Sequence, residues 1–503
     1  IYAGLQDNGS FGTMSFTRDA LGIRNDVAWK LHWDDGQYIA IDPTDWRTVY
    51  SQGTNGSFRV VDPLTHTDTP RGVSPATIVN FKDVAPADST AGSLPRFRVN
   101  WSTPFIISPH DPAVVYYGSN YLLKSTDKGV SWTAISKDLS KADPTRNMFG
   151  TGGLTPDASG AEGFATIFSV SESPVAKGTI WAGTDDGNVW LTRDAGATWS
   201  QVDANIPDVP RGTWVSRVVA SALDASTAYV SFDGHRTDDR RAWLFRTTDG
   251  GRTWTNLSPR LTPNSPVYVV EESAKNPDLL FVGTEHGVQV SFDRGGTFRP
   301  MMNGLPTVAV YDIVIHPRDR DVILGTHGRG VYVLDDISAL EQWSPSVAAA
   351  PAHLFAQRPA TLWVDQSRGG QLGEQVYFGE NPPYVLPPGQ GRDRARVVNT
   401  PLITFALGAG ATGTATLEVT SPAGSTRSYS IPAKPGVTRF VWDMRPQAAD
   451  AEAAGGARGR PAAGGRRAAG ARGAEPGTYQ VKLTHGAATA TGTLVVRADP
   501  ILK

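Results

Sequence analysis

Apolar and polar residues alternate in short runs through most of the first 345 positions, and the runs end on glycine, proline, asparagine or aspartate. A period of two predicts β-strands, and the punctuation between runs predicts tight turns. One grammar recurs: a strand ends in an Asp-Pro-like turn, a second strand follows, and a polar turn closes it. Ile39-Ala40-Ile41-Asp42-Pro43 precedes Val49-Tyr50, Ile106-Ile107-Ser108-Pro109 precedes Val114-Val115-Tyr116-Tyr117-Gly118, and Ile313-Val314-Ile315-His316-Pro317 precedes Val322-Ile323-Leu324-Gly325. Aligning the turn after the second strand gives groups that begin near residues 1, 38, 103, 166, 214, 267 and 309.

An eight-residue pattern falls inside this layout at Ser125–Trp132, Thr192–Trp199, Thr247–Trp254 and Ser291–Phe298. Its form, Ser/Thr-x-Asp-x-Gly-x-Thr/Ser-aromatic, is the Asp-box. The Asp accepts backbone N–H groups in the turn, glycine takes the positive φ, and the aromatic packs inward. Asp127, Asp194, Asp249 and Asp293 are therefore expected to close hairpins and to stay outside any site. Repeated units of this size predict an all-β, seven-bladed β-propeller, whose radial repetition leaves few exposed sheet edges. The first group lacks its innermost strand and the last stops after three strands at Val331–Leu334.

The Asp-box grammar stops near residue 345. Strand patterns at Leu402–Leu407, Ala415–Val419, Thr438–Trp442, Thr478–Leu483 and Gly492–Val496 predict an Ig-like β-sandwich. The expected organisation is a propeller over 1–345, a linker over 346–398 and a sandwich over 399–503. Within the sandwich, the Ala/Gly/Arg tract 448–476 has almost no large apolar residue and reads as a disordered insert.

Composition narrows the function classes. The 503 residues carry a formal net charge of -2, which gives no basis for a nucleic-acid partner. Cysteine is absent, which excludes a thiol nucleophile, a disulfide scaffold and Cys-ligated metal. No His-x-His, His-x-x-x-His, EF-hand loop, Walker loop, dinucleotide fingerprint or Gly-x-Ser-x-Gly elbow occurs, so neither metal nor cofactor is expected. No apolar run is long enough to insert in a membrane. The chain opens on Ile1-Tyr2-Ala3-Gly4 in an apparent strand and without Met, which reads as an internal fragment.

Candidate chemistry lies in the turns after the second strands, which share a face opposite the Asp-box hairpins. Loops that converge on a rigid scaffold are where binding groups gather. Asp7, Asp185 and Glu285 are the candidate catalytic carboxylates, because glycosidic hydrolysis needs a pair at a defined separation. Asp35, Asp186, His235, Arg236, His286, His327 and Arg329 are candidate ligand-binding groups, with Trp101 and Trp214 placed to stack on a sugar ring. Each has a plainer structural reading as a turn residue, a loop brace or a buried ring.

The Asp-boxes, the Asp-Pro turns and the stretch Gly325-Thr326-His327-Gly328-Arg329-Gly330-Val331-Tyr332-Val333-Leu334-Asp335-Asp336 resemble a bacterial family of Asp-box (BNR) repeat, sortilin N-terminal-domain-like propellers, commonly labelled glycosyl hydrolases. The resemblance covers about residues 1 to 340, and residues 350 to 500 look like the Ig-like module that often follows. It implies an exported protein, secreted, periplasmic or at a bacterial cell surface, with a further propeller region upstream. The implied function is binding of a glycan or peptide on the propeller face; the alternative is a glycoside hydrolase using a carboxylate pair. No Arg-Ile-Pro segment occurs, which departs from sialidases, and the lack of cysteine departs from eukaryotic sortilins.

Overall fold

The computed structural model describes residues 1–15, 28–84, 97–143, 145, 163–362, 401–444 and 474–500. It is nearly all-β and divides into two units. The first comprises Ile1–Thr13, Ala28–Ile315 and Val322–Val333; the second includes His316–Asp321 and Leu334–Lys503.

Among the described residues the first unit holds seven antiparallel sheets, five of four strands and two of three. Their first strands start at Tyr2, Ile39, Phe105, Ile167, Trp214, Val267 and Val310. Strand order within each follows the chain, the meander that a propeller blade uses. The fifth sheet shows the layout, with strands Trp214–Ala220, Ala228–Gly234, Asp239–Thr247 and Thr255–Asn256. Trp214 pairs with Asp233 at one end, while Ala220 pairs with Ala228 and Ala228 with Thr247 at the other. The Asp-box therefore opens at the end of the sheet opposite Trp214. The fourth and sixth sheets repeat this, through Ile167 with Thr184 and Ile180 with Thr192, and through Val267 with Thr284 and Leu280 with Ser291.

Each Asp-box aspartate closes its own hairpin. Asp194 Oδ1 accepts from the Thr192 hydroxyl at 2.7 Å and the Thr198 N–H at 2.8 Å, while Oδ2 accepts from the Thr198 hydroxyl at 2.6 Å. Hydrogen bonds from Thr198 hold the Asp194 carboxyl at about 2. Gly196 sits at φ +99°, where a Cβ would meet the Ile135 carbonyl at 2.5 Å. Asp62 does related work without the motif, accepting from Leu64 N at 2.8 Å in the second sheet.

Large rings fill the space between sheets. Trp132, fully buried, meets Phe58 edge-on at 5.7 Å and Tyr117 at 5.6 Å. Core clusters of this kind join neighbouring sheets of the first unit.

The second unit places a three-stranded sheet and a five-stranded sheet over one core that includes Ile403, Phe405, Leu417, Trp442, Tyr479 and Val481. Part of the stretch expected as a linker belongs to these sheets. Ala352–Leu354 pairs with Leu402–Leu407, and Ala360–Leu362 runs parallel to Ala488–Ala498. Strands of three residues are too short to show a period, which is why the pattern missed them. The tract expected to be disordered lies outside the described residues except for its end. There Ala474 is buried and donates to the Met444 carbonyl at 2.7 Å.

Candidate functional site

The first strands of four consecutive sheets share an irregularity that alternation alone does not reveal. Register skips one residue between Ile167 and Ser169, Val215 and Arg217, Val267 and Val269, and Val310 and Asp312. Phe168, Ser216, Tyr268 and Tyr311 are the extra residues. A bulge of this kind re-aims a side chain, and here it does so at the end of each strand away from the Asp-boxes.

The rings so placed meet across sheets. Phe168 lies edge-on to Trp214 at 4.9 Å, Tyr268 stacks on Tyr311 at 4.2 Å and 12°, and His327 packs perpendicular to Tyr311 with ring centroids 5.0 Å apart. Tyr268 is buried while Tyr311 is 39% exposed, so the pair forms a braced platform with one open ring. Arg236 covers Trp214 with its guanidinium 4.1 Å from the ring. Asp233, 4% exposed in its side chain, holds both His235 Nδ1 at 2.6 Å and Arg236 Nη1 at 3.2 Å. Glu285 accepts from the Tyr268 hydroxyl at 2.6 Å. Burial first, and that bond second, push the Tyr268 hydroxyl far above its ordinary range, so it stays a neutral donor. His286 Nδ1 is hydrogen-bonded to the Ser265 hydroxyl at 3.0 Å. His327 and Arg329 are exposed on a turn closed by Thr326 Oγ1 on the Gly330 carbonyl at 2.5 Å. Gly328 and Gly330 give that turn its positive φ angles of 77° and 79°.

Of the sequence candidates, Trp214, His235, Arg236, Glu285 and His327 thus sit in one network of contacts, with His286 and Arg329 on the same turns as Glu285 and His327. A second group joins Asp7, Asp35 and Trp101. Asp7 N donates to Asp35 Oδ1 at 2.7 Å, and Trp101 Nε1 donates to Asp35 Oδ2 at 3.3 Å.

Asp185 and Asp186 are placed elsewhere, in the interior. Asp185 is fully buried and accepts from Thr166 N at 2.8 Å, Thr166 Oγ1 at 2.7 Å and Asn100 Nδ2 at 3.0 Å. Asp186 accepts from Thr184 and from Lys141 N at 2.7 Å. Burial and the adjacent Asp186 raise the Asp185 pKa. Their Thr-Asp-Asp-Gly sequence looks like an open turn, but the segment through Asn100 covers it.

Tyr268, Tyr311, Asp233 and Arg217 escaped the sequence reading. Val267-Tyr268-Val269-Val270 reads as one unbroken apolar strand, and nothing local marks the bulge.

A cavity of about 250 Å³ is lined by Arg217, Glu271, Glu272 and Ser171 among others. Arg217 bridges to Asp312 at 2.7 Å and donates to the Tyr311 carbonyl at 3.3 Å. Burial and Asp312 push Glu271 from 4.5 up to about 8, against the pull of Arg217. The fold therefore favours protonated Glu271. That contribution is complete below about pH 4.5 and is lost as pH rises through about 8. Melting temperature is expected to fall with rising pH across that window, and Glu271→Gln to remove part of the slope. An unchanged slope in the variant would contradict the assignment.

Among the described residues no group of three or more His, Asp or Glu is arranged to hold a metal ion, and no helix is long and apolar enough to cross a membrane.

No protein-family model and no curated protein matches the chain. Solved structures do. The chain is similar to the GH74 xyloglucanase of Xanthomonas campestris at 17% identity and a TM-score of 0.45, covering 67% of this chain and 50% of that one. It is similar to the GH74 enzyme of Niastella koreensis at 17% identity and a TM-score of 0.41, covering 72% and 54%. A third is the extracellular domain of a hybrid two-component system from B. thetaiotaomicron, at 11% identity and a TM-score of 0.43, covering 99% and 54%. The chain spans about half the length of each of these.

Proposed function

We propose that the first unit is a seven-bladed Asp-box propeller, exported by a bacterium, that binds carbohydrate on the face opposite its Asp-box hairpins, and that the second unit is an Ig-like accessory module. The observation that carries this reading is the Tyr268–Tyr311 platform, built by two successive bulges and rimmed by Trp214, Arg236, Glu285 and His327. An open aromatic face takes the C–H side of a sugar ring, and polar groups at its rim bond the hydroxyls. The seven sheets and their start positions support the blade count.

Binding is favoured over hydrolysis by the state of the carboxylates. Asp185 is sealed in the interior, the Glu285 carboxylate accepts from Tyr268 beside the sixth sheet, and Asp7 lies beside the first sheet with only its backbone N–H bonded, to Asp35. Affinity electrophoresis of the full chain against a panel of polysaccharides tests the reading. Tyr311→Ala is expected to weaken retention about tenfold in a chain that still folds, since Tyr311 is 39% exposed and packs on Tyr268 at the strand end. Retention unchanged by that variant, or retention only by an immobilised peptide library, would overturn the carbohydrate reading.

A further inference from the structure

Resting on that reading, we infer that the carbohydrate is anionic, carrying carboxylate or sulfate groups. The charges around the platform are unequally occupied. Every carboxylate placed there already holds a partner, although Glu285 and Asp312 use one oxygen each and stay solvent-accessible. Asp233 holds His235 and Arg236, Glu285 accepts from Tyr268, and Asp312 pairs with Arg217. Asp233 is also almost wholly buried, so its free lone pairs do not face a ligand.

The donors are less engaged. Arg329 is exposed and makes no ion pair among the described residues, two positions beyond the His327 that touches Tyr311. Arg236 lies flat on Trp214 and gives one of its nitrogens to Asp233, leaving N–H groups directed elsewhere. His327 meets Tyr311 ring edge to ring and has no acid partner among the described residues. A neutral sugar needs acceptors as well as donors at such a rim, since each hydroxyl both gives and takes. Open guanidinium groups at Arg236 and Arg329, beside an Asp233 already spent on its own cations, suit a planar anion, which arginine grips with two parallel N–H groups.

The experiment compares polygalacturonate with neutral galactan, using wild-type chain, Arg329→Gln and Tyr311→Ala. Affinity electrophoresis and a salt series provide the readouts, with melting temperatures as the folding control. Wild type is expected to retain polygalacturonate and lose it as salt rises. Arg329→Gln is expected to weaken that retention about tenfold, the effect of losing one charge-assisted contact. Tyr311→Ala should weaken it too, because the platform is shared. Equal or stronger retention of galactan, unmoved by Arg329→Gln but lost in Tyr311→Ala, would overturn the anionic assignment and leave the carbohydrate reading standing. Retention of neither polymer, or retention indifferent to Tyr311→Ala, overturns both. Should Arg329→Gln lower the melting temperature markedly, Arg329→Lys decides. Lysine keeps the charge and loses the bidentate fork, so weakened polygalacturonate retention in a folded Arg329→Lys chain supports the proposal and unchanged retention contradicts it.

Discussion

Trp132→Ala is expected to lower the unfolding free energy of the first unit by about 3–5 kcal/mol, the range for deleting a fully buried large ring. Trp132 is the aromatic of the first Asp-box and has no exposed surface. Its ring sits between Phe58 of the second sheet and Tyr117 of the third, and its backbone carbonyl accepts from Val79 N at 2.9 Å. Removing it opens a cavity at a sheet-to-sheet junction that stiff strands on both sides cannot close. Trp199 holds the same motif position in the next Asp-box but is only half-buried, with its indole N–H on the Ile135 carbonyl at 2.8 Å. Trp199→Ala should cost visibly less. Urea unfolding of the two variants measures the difference, and equal losses would contradict the view that the motif's aromatic works by burial.

Asp185→Ala is expected to destabilise the same unit by about 3 kcal/mol, because donors left buried without an acceptor cost about 1–3 kcal/mol each. Thr166 N and Asn100 Nδ2 would both lose the acceptor they share. The exposed Asp7 provides the contrast, and Asp7→Ala should cost only about 1 kcal/mol, from placing alanine at a φ of 62°. Thermal and urea unfolding separate the two. An Asp185→Ala chain that folds normally yet binds no polysaccharide would make Asp185 part of the site after all.

These two residues also show what the sequence can disclose. Hairpin closure was legible because the whole device is local. Ser/Thr, Asp and Gly lie within five positions, and the hydrogen bonds of the Asp194 carboxylate run to Thr192 and Thr198. Turn positions were legible for the same reason, which brought Arg236, Glu285 and His327 into view. Burial was not local. Thr184-Asp185-Asp186-Gly187 and Thr284-Glu285-His286-Gly287 read alike, yet the first is covered by a segment more than 80 positions earlier, with Asn100 Nδ2 on Asp185. The platform was hidden by its own construction. A one-residue bulge sets Tyr268 and Tyr311 facing the rim without leaving a gap in the apolar run, and the partner strand that defines the skip lies in a different run. Arg217 illustrates the same limit, since its acid partner Asp312 is two sheets away.

A crystal structure of the chain soaked with an oligogalacturonide would show where the ligand sits. The expected result is a sugar ring against Tyr311, on the face that carries Trp214, Arg236 and His327, with an acid group within hydrogen-bond reach of Arg329 or Arg236. Density for the ligand on the Asp-box hairpins, with the Tyr311 ring bare, would contradict it.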